Sequence, residues 1–233
     1  MKLRRPKAPP PKYIVLNERL FRYICDGCSG AGDEILESLR AETARLGEET
    51  AKMQIGPDQG AFMTLLVAAV GARFAIEIGT FTGYSSICIA RGLPADGQLL
   101  CLDVSDEWTS IARRYWARAR VEAKIELRVG PAIESLRKLE EGRMFDFAFI
   151  DAHKPEYGDY YELVLPRVRA NGLILFDNML WGGRVGGPRP VRGAGGRAID
   201  RVNRKLARDR RVESVLLSVG DGVRICRVLA RER

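Results

Sequence analysis

From Arg73 onward, short apolar runs of strand length alternate with longer stretches of helical length, and this alternation limits the fold more than any other feature. Phe74–Ile78, Gln98–Leu102, Ile125–Val129, Phe145–Ile150 and Leu173–Phe176 read as strands. Helical patterns fill the gaps at about 83–91, 106–121, 131–140 and 156–168. A β-α-β-α rhythm of this kind predicts an α/β fold, a parallel sheet with helices on both faces. Strands without polar alternation, such as Phe147-Ala148-Phe149-Ile150, fit burial on both sides.

The flanks are organised differently. Residues 1–12 contain Pro6, Pro9, Pro10 and Pro11, five Lys or Arg and no acid, and are expected to form a disordered basic arm. Three helices are expected next, at about 16–25, 32–46 and 58–70, with Pro57-Asp58 opening the third. After the last parallel strand, a Gly/Pro/Arg-rich loop at 182–196 leads into a helix at about 197–208. Strands at about 212–218 and 222–229 close the chain. Gly220-Asp221-Gly222 between them signals a tight hairpin, so the final strand is expected to run antiparallel. At 233 residues, with residues 13–233 forming one domain, the chain can bury a large core.

Composition excludes several classes. No apolar run reaches the length of a membrane span, and the basic N-terminus lacks the apolar stretch of a secretory signal, so a cytoplasmic location is expected. Five irregularly spaced cysteines make no disulfide framework. Cys25 and Cys28 form one C-x-x-C, but with a single histidine, His153, the chain lacks the ligands of a structural zinc site. The net charge of +8 is unevenly spread: +5 on residues 1–12, +9 on residues 183–233 and −6 between. Such basic ends suit solvation, an anionic substrate or nucleic acid.

Two runs directly after strands carry the chemistry. They are Asp151-Ala152-His153-Lys154 after Phe149-Ile150, and Asp177-Asn178 after Leu175-Phe176. In open α/β sheets, ligands collect at the carboxyl ends of strands. Asp151, Asp177 and Asn178 offer only hard oxygen donors, which suit Mg²⁺, Mn²⁺ or Ca²⁺ rather than zinc. Lys154 is the candidate general base, because a nearby cation lowers an ammonium pKa toward the working range. Asp151 shares in that catalytic group.

Upstream, Glu77-Ile78-Gly79-Thr80-Phe81-Thr82-Gly83 turns the first strand into the first helix without the G-x-G-x-x-G of nicotinamide enzymes. An acid at Glu77 would repel a diphosphate and welcome an amino group. Asp103 ends the second strand, where a carboxylate reaches ribose hydroxyls, and Ser85 near a helix start suits a carboxylate. An amine, a carboxylate and a ribose describe S-adenosylmethionine well and NAD badly.

With Met53-Gln54-Ile55-Gly56-Pro57-Asp58-Gln59-Gly60, Ile76–Ser86, Gly130-Pro131-Ala132, Asp151-Ala152-His153-Lys154 and Asp177-Asn178-Met179-Leu180-Trp181, the chain resembles the cation-dependent class I O-methyltransferases, which include catechol and caffeoyl-coenzyme A O-methyltransferases. The resemblance spans about Leu16 to Leu229. It implies a Rossmann-like seven-stranded methyltransferase sheet, mostly parallel with an antiparallel last strand, and a homodimer. It implies an S-adenosylmethionine site lined by Met53, Glu77, Gly79, Thr80, Ser85, Asp103 and Ala132. It also implies a divalent ion held by Asp151, Asp177 and Asn178. The acceptor expected is a catechol-type small molecule; RNA carrying a hydroxylated uridine is the alternative, favoured by the basic ends. His153 and Ile55 depart from the family pattern at positions near the cofactor, and Trp181 stands either at the acceptor or under the 182–196 loop.

Overall fold

The computed structural model describes residues 12–230. Four helices come first: α1 (Glu18–Asp26), α2 (Glu34–Ala44), α3 (Glu48–Ala51) and α4 (Pro57–Ala69). The alternating region follows as β1 (Phe74–Ile78), α5 (Tyr84–Gly92), β2 (Gln98–Asp103), α6 (Asp106–Arg118), β3 (Ile125–Val129), α7 (Ala132–Arg137), β4 (Phe145–Ile150), α8 (Tyr157–Val164) and β5 (Val168–Phe176). The chain ends with α9 (Ala194–Leu206), β6 (Val212–Leu217) and β7 (Val223–Val228).

The seven strands form one sheet in the order β3-β2-β1-β4-β5-β7-β6. β1 through β5 pair in parallel, while β7 runs antiparallel to both β5 and β6. The hairpin at Gly220-Asp221-Gly222 explains the reversal, because a short turn can only return the chain alongside itself.

Both faces of the sheet are covered, which accounts for the unbroken apolar strands. On one face Ile76, Ile78, Ala148, Ile150, Ile174 and Phe176 pack under α7, α8 and α9. On the other, Ala75, Leu99, Phe147, Phe149 and Leu175 pack against residues of α2, α4, α5 and α6. Phe147, Phe149 and Phe176 are completely buried, and each such side chain contributes roughly 1.5–3 kcal/mol relative to exposure. β1 and β4 are neighbours in the sheet although they are not consecutive in sequence, so the strand order reverses between them. A crevice opens at the carboxyl ends of strands at such a point.

Several boundaries differ from the sequence-based expectation. The stretch 32–46 stops as a helix at Ala44, and a separate α3 turn follows after Gly47. The helix expected over 156–168 ends at Val164, where Leu165-Pro166-Arg167 makes a tighter turn because Pro166 cannot continue the α-helical ladder. β5 then starts at Val168 rather than Leu173, with an irregularity opposite Phe145 and Phe147 and with Asn171 at φ 63°. α9 begins at Ala194, inside the segment read as loop. Except for Lys12, the expected basic arm lies outside the described residues.

Candidate functional site

The sheet order β2-β1-β4-β5 lines up four strand ends, and with them Asp103, Gly79, Asp151 and Asp177. Above this row lies a cavity of about 900 Å³. Met53, Gly79, Thr80, Ser85, Asp103, Ala132, Asp151, Lys154 and Asn178 all line it. Glu77 and Asp177 are not among its lining residues; 0% and 4% exposed, they lie beneath it next to the lining residues Gly79 and Asn178. The structure thus gathers nine residues of the expected set around one cavity, with Glu77 and Asp177 buried next to it.

The glycine turn is shaped by close packing. Gly79 has φ 93°, and a Cβ there would lie 2.2 Å from the Asp151 carbonyl oxygen. Only glycine lets the β1 and β4 ends approach so closely. Asp103 organises the same turn: its Oδ2 accepts from the backbone N–H groups of Thr80 and Phe81, both at 2.8 Å, and its Oδ1 from Ser105 N–H at 2.8 Å. Its remaining lone pairs face the cavity it lines. Helix capping falls to Ser105, whose Oγ accepts from Trp108 N–H.

Glu77 is the fully enclosed acid of the cofactor half, and burial raises its pKa from 4.5 to about 7. Cys101 Sγ donates to its Oε2 at 3.4 Å across the β1–β2 register, while Oε1 and the neighbouring Thr80 Oγ1 have no hydrogen-bond partner. Buried, unpaired acceptors of this kind are what a cofactor's ammonium group would satisfy. The residues fit S-adenosylmethionine on that ground.

Three features of the cofactor end were not foreseen. Phe81 and Trp108 meet edge to face, with ring centroids 5.0 Å apart, and both line the cavity. Tyr84, at the start of α5, and Tyr160, from α8, line it as well. Nothing in the spacing of these aromatics marks them out; only the fold brings them together.

At the other end, burial and the neighbouring Asp151 carboxylate push the Asp177 pKa upward. Asp177 Oδ1 accepts from Asn178 N–H at 2.7 Å, and Asn178 holds φ 56°, a left-handed conformation that asparagine tolerates. Neither aspartate caps a helix. A buried carboxylate and a half-buried one that repel each other, beside a carboxamide, form a site that a hard divalent cation would relieve. The donor set fits Mg²⁺ or Mn²⁺. Among the described residues no group of three or more His, Cys, Asp or Glu is placed to hold a metal, and the oxygen donor next to the two aspartates is the side-chain amide of Asn178.

Lys154 Nζ donates to Asp151 Oδ1 at 2.6 Å and lies 5.1 Å from the Tyr157 ring centre. It is not a solvated lysine pairing Glu156, whose carboxylate accepts from Tyr160 instead. Gln59, 1% exposed in α4, lies beside Asp177 with its Nε2 unpaired. Trp181, at φ 53°, packs on the start of α9: a Cβ on Gly195 would approach its ring to 3.1 Å. Trp181 thus lines the cavity and also supports the loop. His153 stays largely exposed at the rim, and Ile55 is buried against it. Cys25 and Cys28 are free thiols at the end of α1.

A model of the O-methyltransferase family matches residues 27–229. Caffeoyl-CoA O-methyltransferase 2 of Petunia hybrida is 35% identical over 226 residues, covering 93% of each chain. Among solved structures, an O-methyltransferase from Bacillus cereus in complex with SAH is 32% identical with a TM-score of 0.78, covering 90% of this chain and 97% of that one. The O-methyltransferase TomG from Streptomyces achromogenes, in complex with SAM, is 30% identical with a TM-score of 0.76, covering 85% and 91%.

Proposed function

The chain belongs to the O-methyltransferase family, and from that premise we propose a metal-assisted transfer of a methyl group from S-adenosylmethionine to one hydroxyl of a catechol-type small molecule. One observation carries the metal and the acceptor together: Asp151, Asn178 and Lys154 line the same cavity as the cofactor end, with the buried Asp177 beside Asp151 and Asn178. A vicinal diol presents two adjacent oxygens to such a cation, which a lone hydroxyl cannot do. The names of relatives such as the Petunia enzyme, with its phenolic caffeoyl group, support the same acceptor class.

Within this reading Glu77 Oε1 would receive the cofactor's amino group, with Ser85 beside it, and Asp103 would receive the ribose hydroxyls. Met53 and Ala132 line the same cavity, and the Phe81–Trp108 edge would hold the nucleoside. Asp151, Asp177 and Asn178 would hold the divalent ion. When bound, the cofactor supplies an electrophilic methyl on a sulfonium, and the ion supplies positive charge that favours an acceptor oxyanion.

Lys154, as its neutral amine, is the group placed to take the acceptor's hydroxyl proton, and Asp151, accepting from its Nζ, fixes the end of the side chain and then faces the ammonium that forms. With that proton removed, the acceptor oxygen would be the nucleophile toward the methyl carbon, and the carbon–sulfur bond would be the one to break. Holding the two reactants in line can account for roughly 7–11 kcal/mol of rate enhancement. Trp181 and Tyr160 wall the acceptor side and exclude water, which strengthens the electrostatics within. By the same family resemblance the working form is a homodimer, which light scattering would read out directly.

The test is transfer of labelled methyl to a panel of catechols, with Mg²⁺ and with excess EDTA. Turnover of a catechol that EDTA abolishes is the expected result. Cofactor binding without turnover on any diol would overturn the acceptor class, and turnover unaffected by EDTA would overturn the metal.

A further inference from the structure

Arg224, in β7, is 8% exposed, yet it forms no ion pair among the described residues. Other arginines of the sheet find acids: Arg169 meets Asp146 and Arg227 meets Glu213, both at 2.6 Å. Burial pushes the Arg224 pKa down, as expected of a cation with no counter-ion. A buried charge of this kind is costly unless its hydrogen-bonding groups are met, and here neutral groups meet them. Its Nε donates to Asn203 Oδ1 at 2.9 Å and its Nη1 to Ser214 Oγ at 3.0 Å.

Asn203, 7% exposed in α9, passes this contact on, because its Nδ2 donates to the Met179 carbonyl at 2.8 Å. Arginine offers donors only and a carbonyl accepts only, so one orientation of the amide serves both. An acid at position 203 would give Arg224 an ordinary ion pair but would leave nothing to donate to Met179. The choice of an amide is thus explained by what lies beyond it.

Beyond it lies the turn that carries Asp177, Asn178 and Trp181. Asn178 at φ 56° and Trp181 at φ 53° are both left-handed, and such backbone persists only where its surroundings fix it. The β6–β7 hairpin holds the N–H groups of this turn: Met179 N–H donates to the Gly222 carbonyl and Leu180 N–H to the Asp221 carbonyl, both at 2.9 Å. The Met179 carbonyl is held instead by a side chain, that of Asn203. Arg224 also sits beside the base of the turn, since it pairs with Phe176, the residue before Asp177, in the β5–β7 register.

We propose that Arg224, acting through Asn203, is a positioning residue that locks the 177–181 turn and so presents Asp177 and Asn178 to the cation. The clamp belongs to the apoprotein; its effect on cation affinity rests on the metal reading above. Groups that orient metal ligands from behind govern affinity by about 10–100-fold.

The test compares the wild type with Asn203→Asp, Arg224→Leu and Arg224→Lys. Asn203→Asp gives Arg224 a carboxylate and removes the donor to Met179. Amide exchange across residues 178–182, read by mass spectrometry on the apoprotein, should quicken at least about tenfold in Asn203→Asp and Arg224→Leu. Calorimetry should show Mn²⁺ binding to both about tenfold more weakly, with SAH affinity unchanged. Arg224→Lys keeps a cationic donor toward Asn203 and should return both readouts to near the wild-type values.

A role confined to packing predicts a different pattern. The new ion pair in Asn203→Asp would then preserve stability in urea, exchange across the turn would stay slow, and the added negative charge would leave Mn²⁺ affinity equal or higher. That pattern overturns the proposal, and so does a loss of SAH and Mn²⁺ together in step with stability. Wild-type behaviour of Arg224→Leu beside a weakened Asn203→Asp would remove Arg224 from the clamp. If the wild type takes up no Mn²⁺ at millimolar concentration, the metal reading fails and the presentation of ligands with it, while the exchange rates still decide whether the clamp exists.

Discussion

The two ends of the catalytic cavity are built by different means. The cofactor end is made of strand termini, backbone and buried side chains: Glu77 is fully enclosed, Asp103 is tied to three N–H groups, and Gly79 leaves no room for a Cβ. The acceptor end is made of loop and helix start: Trp181 rests on Gly195 and Gly196, and the arginines beside it stand exposed without acids. Such a division fixes the cofactor rigidly and leaves the acceptor side open to change, because loops tolerate substitution that packed strand ends do not. The two ends meet at Asp151, whose carbonyl abuts Gly79 while its carboxylate holds Lys154.

The contrast is sharpened most by Asp177→Ala. It should lower kcat/KM by roughly 10²–10³-fold while leaving SAH affinity within several-fold. Steady-state kinetics and calorimetry on the same preparation check this, and a parallel loss of SAH binding would show that the ends are not independent.

Gly79→Ala should break both ends together. The φ of 93° and the 2.2 Å approach to the Asp151 carbonyl predict a loss of stability of roughly 3 kcal/mol or more, seen by urea unfolding.

Glu77→Gln probes the cofactor end alone. SAH should bind about 10- to 50-fold more weakly, since a charge-assisted contact to the ammonium is lost. The variant also carries a pH signature. The folded Glu77 pKa of about 7 lies above its ordinary 4.5, so between those values the unfolded chain has released a proton that the folded chain keeps. Stability from this group is therefore greatest below pH 4.5 and falls as pH rises through 7. Relative to Glu77→Gln, the wild-type apoprotein should lose about 3 kcal/mol between pH 4.5 and pH 8, measured by urea unfolding at each pH.

Trp181→Ala is expected to have the smallest effect, raising the acceptor KM about three- to tenfold with SAH binding unchanged. A large fall in stability instead would make its role support of the α9 start rather than a wall for the acceptor.

Much of the cofactor end was legible in the sequence because it depends on local order. Strand, glycine turn and helix follow one another from Phe74 to Ser86, and strand-end acids at Asp103, Asp151 and Asp177 are marked by the apolar runs before them. What was not legible depends on contacts between distant segments. The start of α9 holds Gly193, Gly195 and Gly196, residues that read as loop because glycine disfavours helix; packing under Trp181 and Val191 overrides that preference. Val168 reads as a helix end and residues 169–172 as a connection, since Val168-Arg169-Ala170 has no strand alternation and Arg169 is held by Asp146 from a neighbouring strand. The Phe81–Trp108 edge and the placement of Gln59 beside Asp177 likewise join elements far apart in the chain.

The separation of the two ends is tested most directly by one crossed titration. SAH and Mn²⁺ are each titrated calorimetrically into Glu77→Gln and Asp177→Ala. The account predicts a crossing: Glu77→Gln loses SAH affinity and keeps Mn²⁺, while Asp177→Ala loses Mn²⁺ and keeps SAH. Mn²⁺ binding to Asp177→Ala with wild-type affinity, or loss of both ligands in both variants, would contradict it.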